Sequence, residues 1–76
     1  MLKLGHSKEE IIARNVVDKL QRVIETESYG EEIAVRSATD IVSRLRKDNS
    51  GGIADEVERQ LAARFPKMKW AFPPKE

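Results

Sequence analysis

Apolar residues recur along this chain at helical spacing in three separate runs. In the first, Ile12, Ala13, Val16, Val17, Leu20, Val23 and Ile24 share one stripe at a period of 3.6 residues. Glu10, Arg14, Asp18, Gln21, Arg22 and Glu25 lie across from it, and Ile11 alone falls off the stripe. Ser7-Lys8-Glu9-Glu10 has the spacing of a capping box, in which the Ser7 hydroxyl accepts from the Glu10 N–H and the Glu10 carboxylate reaches back. Glu10–Arg14 and Asp18–Arg22 are oppositely charged pairs four apart in the favourable order, worth about 0.3 kcal/mol each. The pattern predicts a helix over about residues 8–27.

Ser28-Tyr29-Gly30-Glu31 interrupts the period, and Gly30 is expected to take a positive φ and end the first helix. A second stripe of Ile33, Ala34, Ser37, Ala38, Ile41, Val42 and Leu45 predicts a helix over about 31–47. Small residues at 34, 37 and 38 let another backbone come close, and Arg44, Arg46 and Lys47 complement the dipole at its C-terminal end. Asp48-Asn49-Ser50-Gly51-Gly52 reads as a loop. Ile53, Ala54, Val57, Leu61 and Phe65 then form the narrowest stripe, a helix over about 53–65 that Pro66 stops. Asp55, Glu56 and Glu58 occupy its early turns, where the dipole favours carboxylates.

Beyond Pro66 the period changes. Met68, Trp70 and Phe72 alternate with Lys67, Lys69 and Ala71, the pattern of an extended segment, which is expected to run over 66–76. Such a segment either closes an open side of the helices or offers its aromatics to a partner. Leu2-Lys3-Leu4 shows the same alternation, so a short strand pairing between the two ends is a further option. Three stripes that must leave water together give an all-α fold, a small three-helix bundle with an extended aromatic C-terminal segment. Residues 1–76 form a single small helical domain in this reading.

Composition narrows the function more than it assigns one. With no cysteine, neither a disulfide framework nor a thiolate site is possible, and a cytoplasmic setting is the expectation. No run approaches the roughly 20 apolar residues of a membrane span, and the N-terminal residues lack the apolar core of a signal peptide. Fourteen basic and thirteen acidic residues leave a net charge of +1, too little for a global field toward nucleic acid.

Catalysis finds little footing. His6 is the only histidine, it precedes the first cap, and no second histidine or any cysteine joins it as a metal ligand. Asp55 and Glu58 read as a solvated carboxylate face. Neither a GxxxxGK nor a GxGxxG pattern accompanies the Asn49-Ser50-Gly51-Gly52 loop, so an ordinary connection explains it better than an anion site. A helix-turn-helix built on the last two helices would present Asp55, Glu56 and Glu58 to DNA, which is unfavourable.

The expected function is therefore a non-enzymatic protein–protein interaction or regulatory module without cofactor or metal. Its partner-binding residues would be Met68, Trp70 and Phe72 with Ile11 nearby, because aromatics and Met bury large areas on few rotors. Tyr29 and Val35, also off the stripes, extend the set of interface candidates. The partner is another protein or a second copy in a homodimer, and no membrane. The alternative is a nucleic-acid-binding accessory protein that uses Arg59, Arg64, Lys67 and Lys69 around Trp70.

Overall fold

Two breaks of three residues each separate three helices: α1 (Lys8–Thr26), α2 (Gly30–Lys47) and α3 (Gly51–Arg64). Connections this short make sequential helices run antiparallel. The structure is a computed structural model that describes residues 8–72. The architecture is all-α, a three-helix bundle, with no strand among the described residues. Residues 65–72 follow α3 without helix or strand. The expected pairing with Leu2-Lys3-Leu4, the Ser7 cap and the last part of the 66–76 segment lie outside the described residues.

The core is narrow. Ala13, Val17 and Leu20 of α1, Ala34, Ala38 and Val42 of α2, and Ala54, Val57 and Leu61 of α3 are its buried members. Four of these nine are alanines, so the helices approach closely but bury little area per residue. Val16, Ile24, Leu45, Ile53, Phe65, Trp70 and Phe72 pack around that centre, half-buried. The volume the alanines leave unfilled is thus supplied by side chains at the rim, three of them aromatic.

The two turns differ from expectation in instructive ways. Gly30 does not end α1 with a positive φ; it opens α2 and is buried. Its N–H donates to the Glu27 carbonyl at 3.1 Å. A β-carbon at Gly30 would stand 2.3 Å from the Val23 carbonyl oxygen and 2.7 Å from Ile24 Cα. Glycine is needed there for close approach of two backbones, not for left-handed geometry.

The second turn takes its left-handed residue from Asn49, at φ 61°. The Ser50 N–H donates to the Leu45 carbonyl at 2.7 Å and the Asn49 N–H to Arg46 at 3.3 Å, the paired bonds of a Schellman motif. Gly51 and Gly52, expected in the loop, are the first residues of α3. At the other end Phe65 is the C-cap of α3, its N–H bonded to the Leu61 carbonyl at 2.9 Å. The Met68 N–H then donates to the Phe65 carbonyl at 3.2 Å, a turn with Pro66 in its second position that sends the chain back over the bundle.

Polar ties gather on α3. Arg46 of α2 reaches Asp55 at 2.9 Å and Glu58 at 2.8 Å. Toward α1, Arg64 bonds Asp18 at 2.7 Å and the Gln21 side-chain oxygen at 2.9 Å, and Gln60 donates to the Glu10 carbonyl at 3.2 Å. At the seam between α1 and α2 the backbones come into close approach at Gly30.

Two glycine substitutions test this arrangement. Gly30→Ala has to part a backbone contact and is expected to cost more than about 2 kcal/mol. Gly52→Ala meets only the movable Glu9 side chain, nearest at 3.4 Å. It is expected to gain up to about 1 kcal/mol through a less flexible unfolded chain. Urea unfolding of both variants beside the parent decides; an unchanged midpoint for Gly30→Ala contradicts the close approach.

Candidate interaction surface

Pro66 ends the helical path, and the segment after it is laid along α2 by two contacts. The Ala71 carbonyl accepts from the Thr39 hydroxyl at 2.9 Å. Met68, with Lys67 and Lys69, lines an open groove of about 610 Å³ whose opposite wall is Glu31, Glu32, Val35 and Arg36. The Thr39 hydroxyl also lies 2.9 Å from the Val35 carbonyl of its own helix, so one proton has two acceptors within reach.

The aromatics expected to meet a partner meet each other first. Trp70 stacks on Phe72 with ring centroids 5.9 Å apart and planes 11° from parallel. Phe65 meets Trp70 edge-on at 6.1 Å and 60°. Trp70 and Phe72 are half-buried against the core, and the Trp70 Nε1 is buried without a hydrogen-bond acceptor among the described residues. Most of what this cluster contributes is packing, which extends a core short of large side chains.

Ile11 is not brought to that segment. It stands 50% exposed on the side of α1 opposite its buried residues, whereas the segment packs on α2 and α3. The basic residues of the alternative reading are also dispersed. Arg59 sits between Glu56 at 2.7 Å and Glu10 at 3.5 Å, and Arg64 is engaged with Asp18. Lys67 and Lys69 line the groove beside α2, where Glu31 and Glu32 face them. Two of the four cations are thus already neutralised by carboxylates of this chain.

Chemistry at the helix ends is equally spoken for. The Arg46 guanidinium next to the Gly51–Gly52 turn is bound to Asp55 and Glu58 rather than open to an anion. These bonds, Glu58 first and Asp55 second, raise its already high pKa. Among the described residues no cluster of three or more His, Cys, Asp or Glu side chains is placed to hold a metal. His6 lies outside them. No helix of the described chain is long and apolar enough to cross a membrane.

One surface escaped the sequence pattern. Ile12 and Ile33, assigned by period to the buried stripes, are 38% and 41% exposed, and Tyr29 at the intervening turn is 72% exposed. The physical reason lies in the alanines. Ala34 and Ala38 occupy the centre of the α2 stripe, so α2 seats on them and its larger Ile33 is turned to the flank. Ile12 is likewise the edge of its stripe beside the fully buried Ala13. A stripe whose centre is alanine and whose edge is isoleucine was the available signal.

Neither family models, nor curated proteins, nor solved structures yield a match to this chain.

Trp70 offers a direct check of the packing. Its emission is expected at shorter wavelength in the native protein than in denaturant, and Trp70→Ala should cost about 2–3 kcal/mol. Trp70→Phe should cost less, since it keeps a ring and removes the buried N–H that lacks an acceptor. Equal emission in both states contradicts the stacking.

A second check is electrostatic. The hydrogen bond from Arg59, foremost, holds the Glu56 carboxyl below its ordinary 4.5. A lowered folded-state pKa stabilises fully above that ordinary value and ceases to stabilise as pH falls through the lower one. The unfolding midpoints of the parent and Glu56→Gln should therefore differ at neutral pH and converge in acid below 4.5. A gap that persists in acid contradicts the pairing.

Proposed function

We propose that this chain is a small protein–protein interaction module that acts by shape rather than by catalysis. The observation that carries the reading is where the large exposed apolar side chains lie among the described residues. Ile11, Ile12, Tyr29 and Ile33 all belong to α1, α2 or the turn between them. The other long seam, between α2 and the end of α3, is overlaid by the chain's own Trp70 and Phe72. Ile12 and Ile33 share the flank between α1 and α2, while Ile11 faces outward from α1. Branched aliphatics left in water on one flank of a molecule this small are costly unless something covers them.

The C-terminal segment supports the same reading in a different role. It braces the helices, and its Met68 edge, open along the groove with α2, is a second place for contact. The ion pairs of Arg59 and Arg64 weigh against nucleic acid as the main partner. A fold without cysteine needs no oxidising compartment, which suits the cytoplasm.

Photo-crosslinking residues placed singly at Ile12, Ile33, Met68 and the exposed Ala63 test the proposal in the cells that make the protein. Adducts to one protein of discrete mass are expected at 12 and 33 and absent at 63. Equal, diffuse labelling at all four positions would overturn it.

A further inference from the structure

The charges around the isoleucine flank are sorted, and the sorting carries information about what covers it. On the helical wheel, Ile12 and Val16 of α1 and Ile33 and Ile41 of α2 line one outer groove between the two helices. Val16 and Ile41 are half-buried at its floor, while Ile12 and Ile33 rise along its sides. Lys8, Lys19 and Arg22 edge it from α1, and Arg44 and Lys47 from α2, all exposed. Asp40 is the single helical carboxylate on this flank, and it already binds Arg44 at 3.3 Å.

The acids of both helices are turned elsewhere. Glu10 and Asp18 bind arginines of α3, and Glu9 lies against Gly52 at the start of α3. Glu25 accepts from Gln21 at 3.0 Å, away from the groove, and Glu31 and Glu32 line the groove with the C-terminal segment. The result is an apolar floor edged by three cations along α1 and by Lys47 beside the Arg44–Asp40 pair on α2, on a molecule whose net charge is only +1.

Resting on the proposed function, we infer that this groove binds an amphipathic helix of another protein whose apolar stripe is edged by acidic residues. A third helix between two antiparallel ones repeats the packing that the bundle uses inside. The floor from Ile12 to the level of Val23 covers twelve residues of α1, about 17 Å from first to last, enough for three turns of a partner. A second copy is disfavoured because the same face brought against itself sets cations on cations. A membrane surface is disfavoured because the only Trp, the side chain suited to a lipid interface, lies across the bundle, over α2 and α3. The floor also lacks the aromatic platforms on which single-stranded nucleic acid stacks.

The test uses two fluorescent synthetic helices of about 18 residues, roughly 27 Å long, with one leucine stripe and edges of either Glu or Lys. Anisotropy at low salt is expected to show at least tenfold tighter binding of the Glu-edged peptide, with the ratio shrinking as salt rises. Lys19→Glu/Arg22→Glu should reverse the preference, and Ile12→Ser/Ile33→Ser should weaken both peptides at least tenfold while the circular dichroism stays helical. Isoleucine-dependent binding that ignores edge charge overturns this inference and leaves the proposed function standing. Binding that ignores the isoleucines overturns both. Saturable binding of neither peptide, an Ile33-dependent dimer in sedimentation, or Ile33-dependent binding to anionic vesicles or an oligonucleotide overturns the inference alone.

Discussion

At the turn between α1 and α2 the backbone of Gly30 lies so close to Val23 and Ile24 that no β-carbon fits between them. That contact brings α1 and α2 together at one end of their seam, and Ala34 and Ala38 keep the distance small as α2 runs on. Close approach has two consequences that oppose each other. Backbones in near contact pack densely, but small side chains bury little apolar area, so each residue contributes less to stability. The bundle answers by recruiting Phe65, Trp70 and Phe72 from beyond α3, and by leaving Ile12 and Ile33 outside.

Charge reinforces the arrangement without creating it. The ties of α3 to its neighbours are ion pairs at or near the surface, each worth at most about 1 kcal/mol in such surroundings. Arg46 is the exception in kind, since its guanidinium and the Glu58 carboxylate are both largely covered and bond at 2.8 Å. A bond between two largely covered charges contributes little net energy, because its attraction is offset by the cost of removing both groups from water. Carboxylates of α1 recruited to α3 are also carboxylates withdrawn from the opposite flank, which is how a nearly neutral chain comes to have a cationic face.

Much of the fold was legible in the period of apolar residues. The three helices were expected at about 8–27, 31–47 and 53–65 and are found at Lys8–Thr26, Gly30–Lys47 and Gly51–Arg64. The misplacements concern glycine. Gly30 reads as a helix stop because sequence cannot tell freedom of φ from absence of a β-carbon, and only the second is used. Gly51 and Gly52 read as loop because of their low helix propensity, yet the Schellman turn at Asn49 hands the chain directly into α3. The surface was harder still. Period assigns Ile12 and Ile33 to a stripe but does not say where the stripe's centre lies, and the pairing of Arg59 with Glu10 and of Arg64 with Asp18 cannot be seen until α1 stands beside α3.

The Thr39 hydroxyl has one proton and two carbonyls at the same 2.9 Å, Val35 in its own helix and Ala71 in the returning segment. If residues 69–72 lift away, that proton turns to Val35 and no donor is orphaned. The Trp70 Nε1, which has no acceptor in place, gains water as a partner. The polar terms therefore do not resist detachment; only ring contact and apolar area do. Opening at this seam is then a local event, separate from the melting of the helices, and backbone amides of the segment should exchange with solvent well before those of α1, α2 and α3.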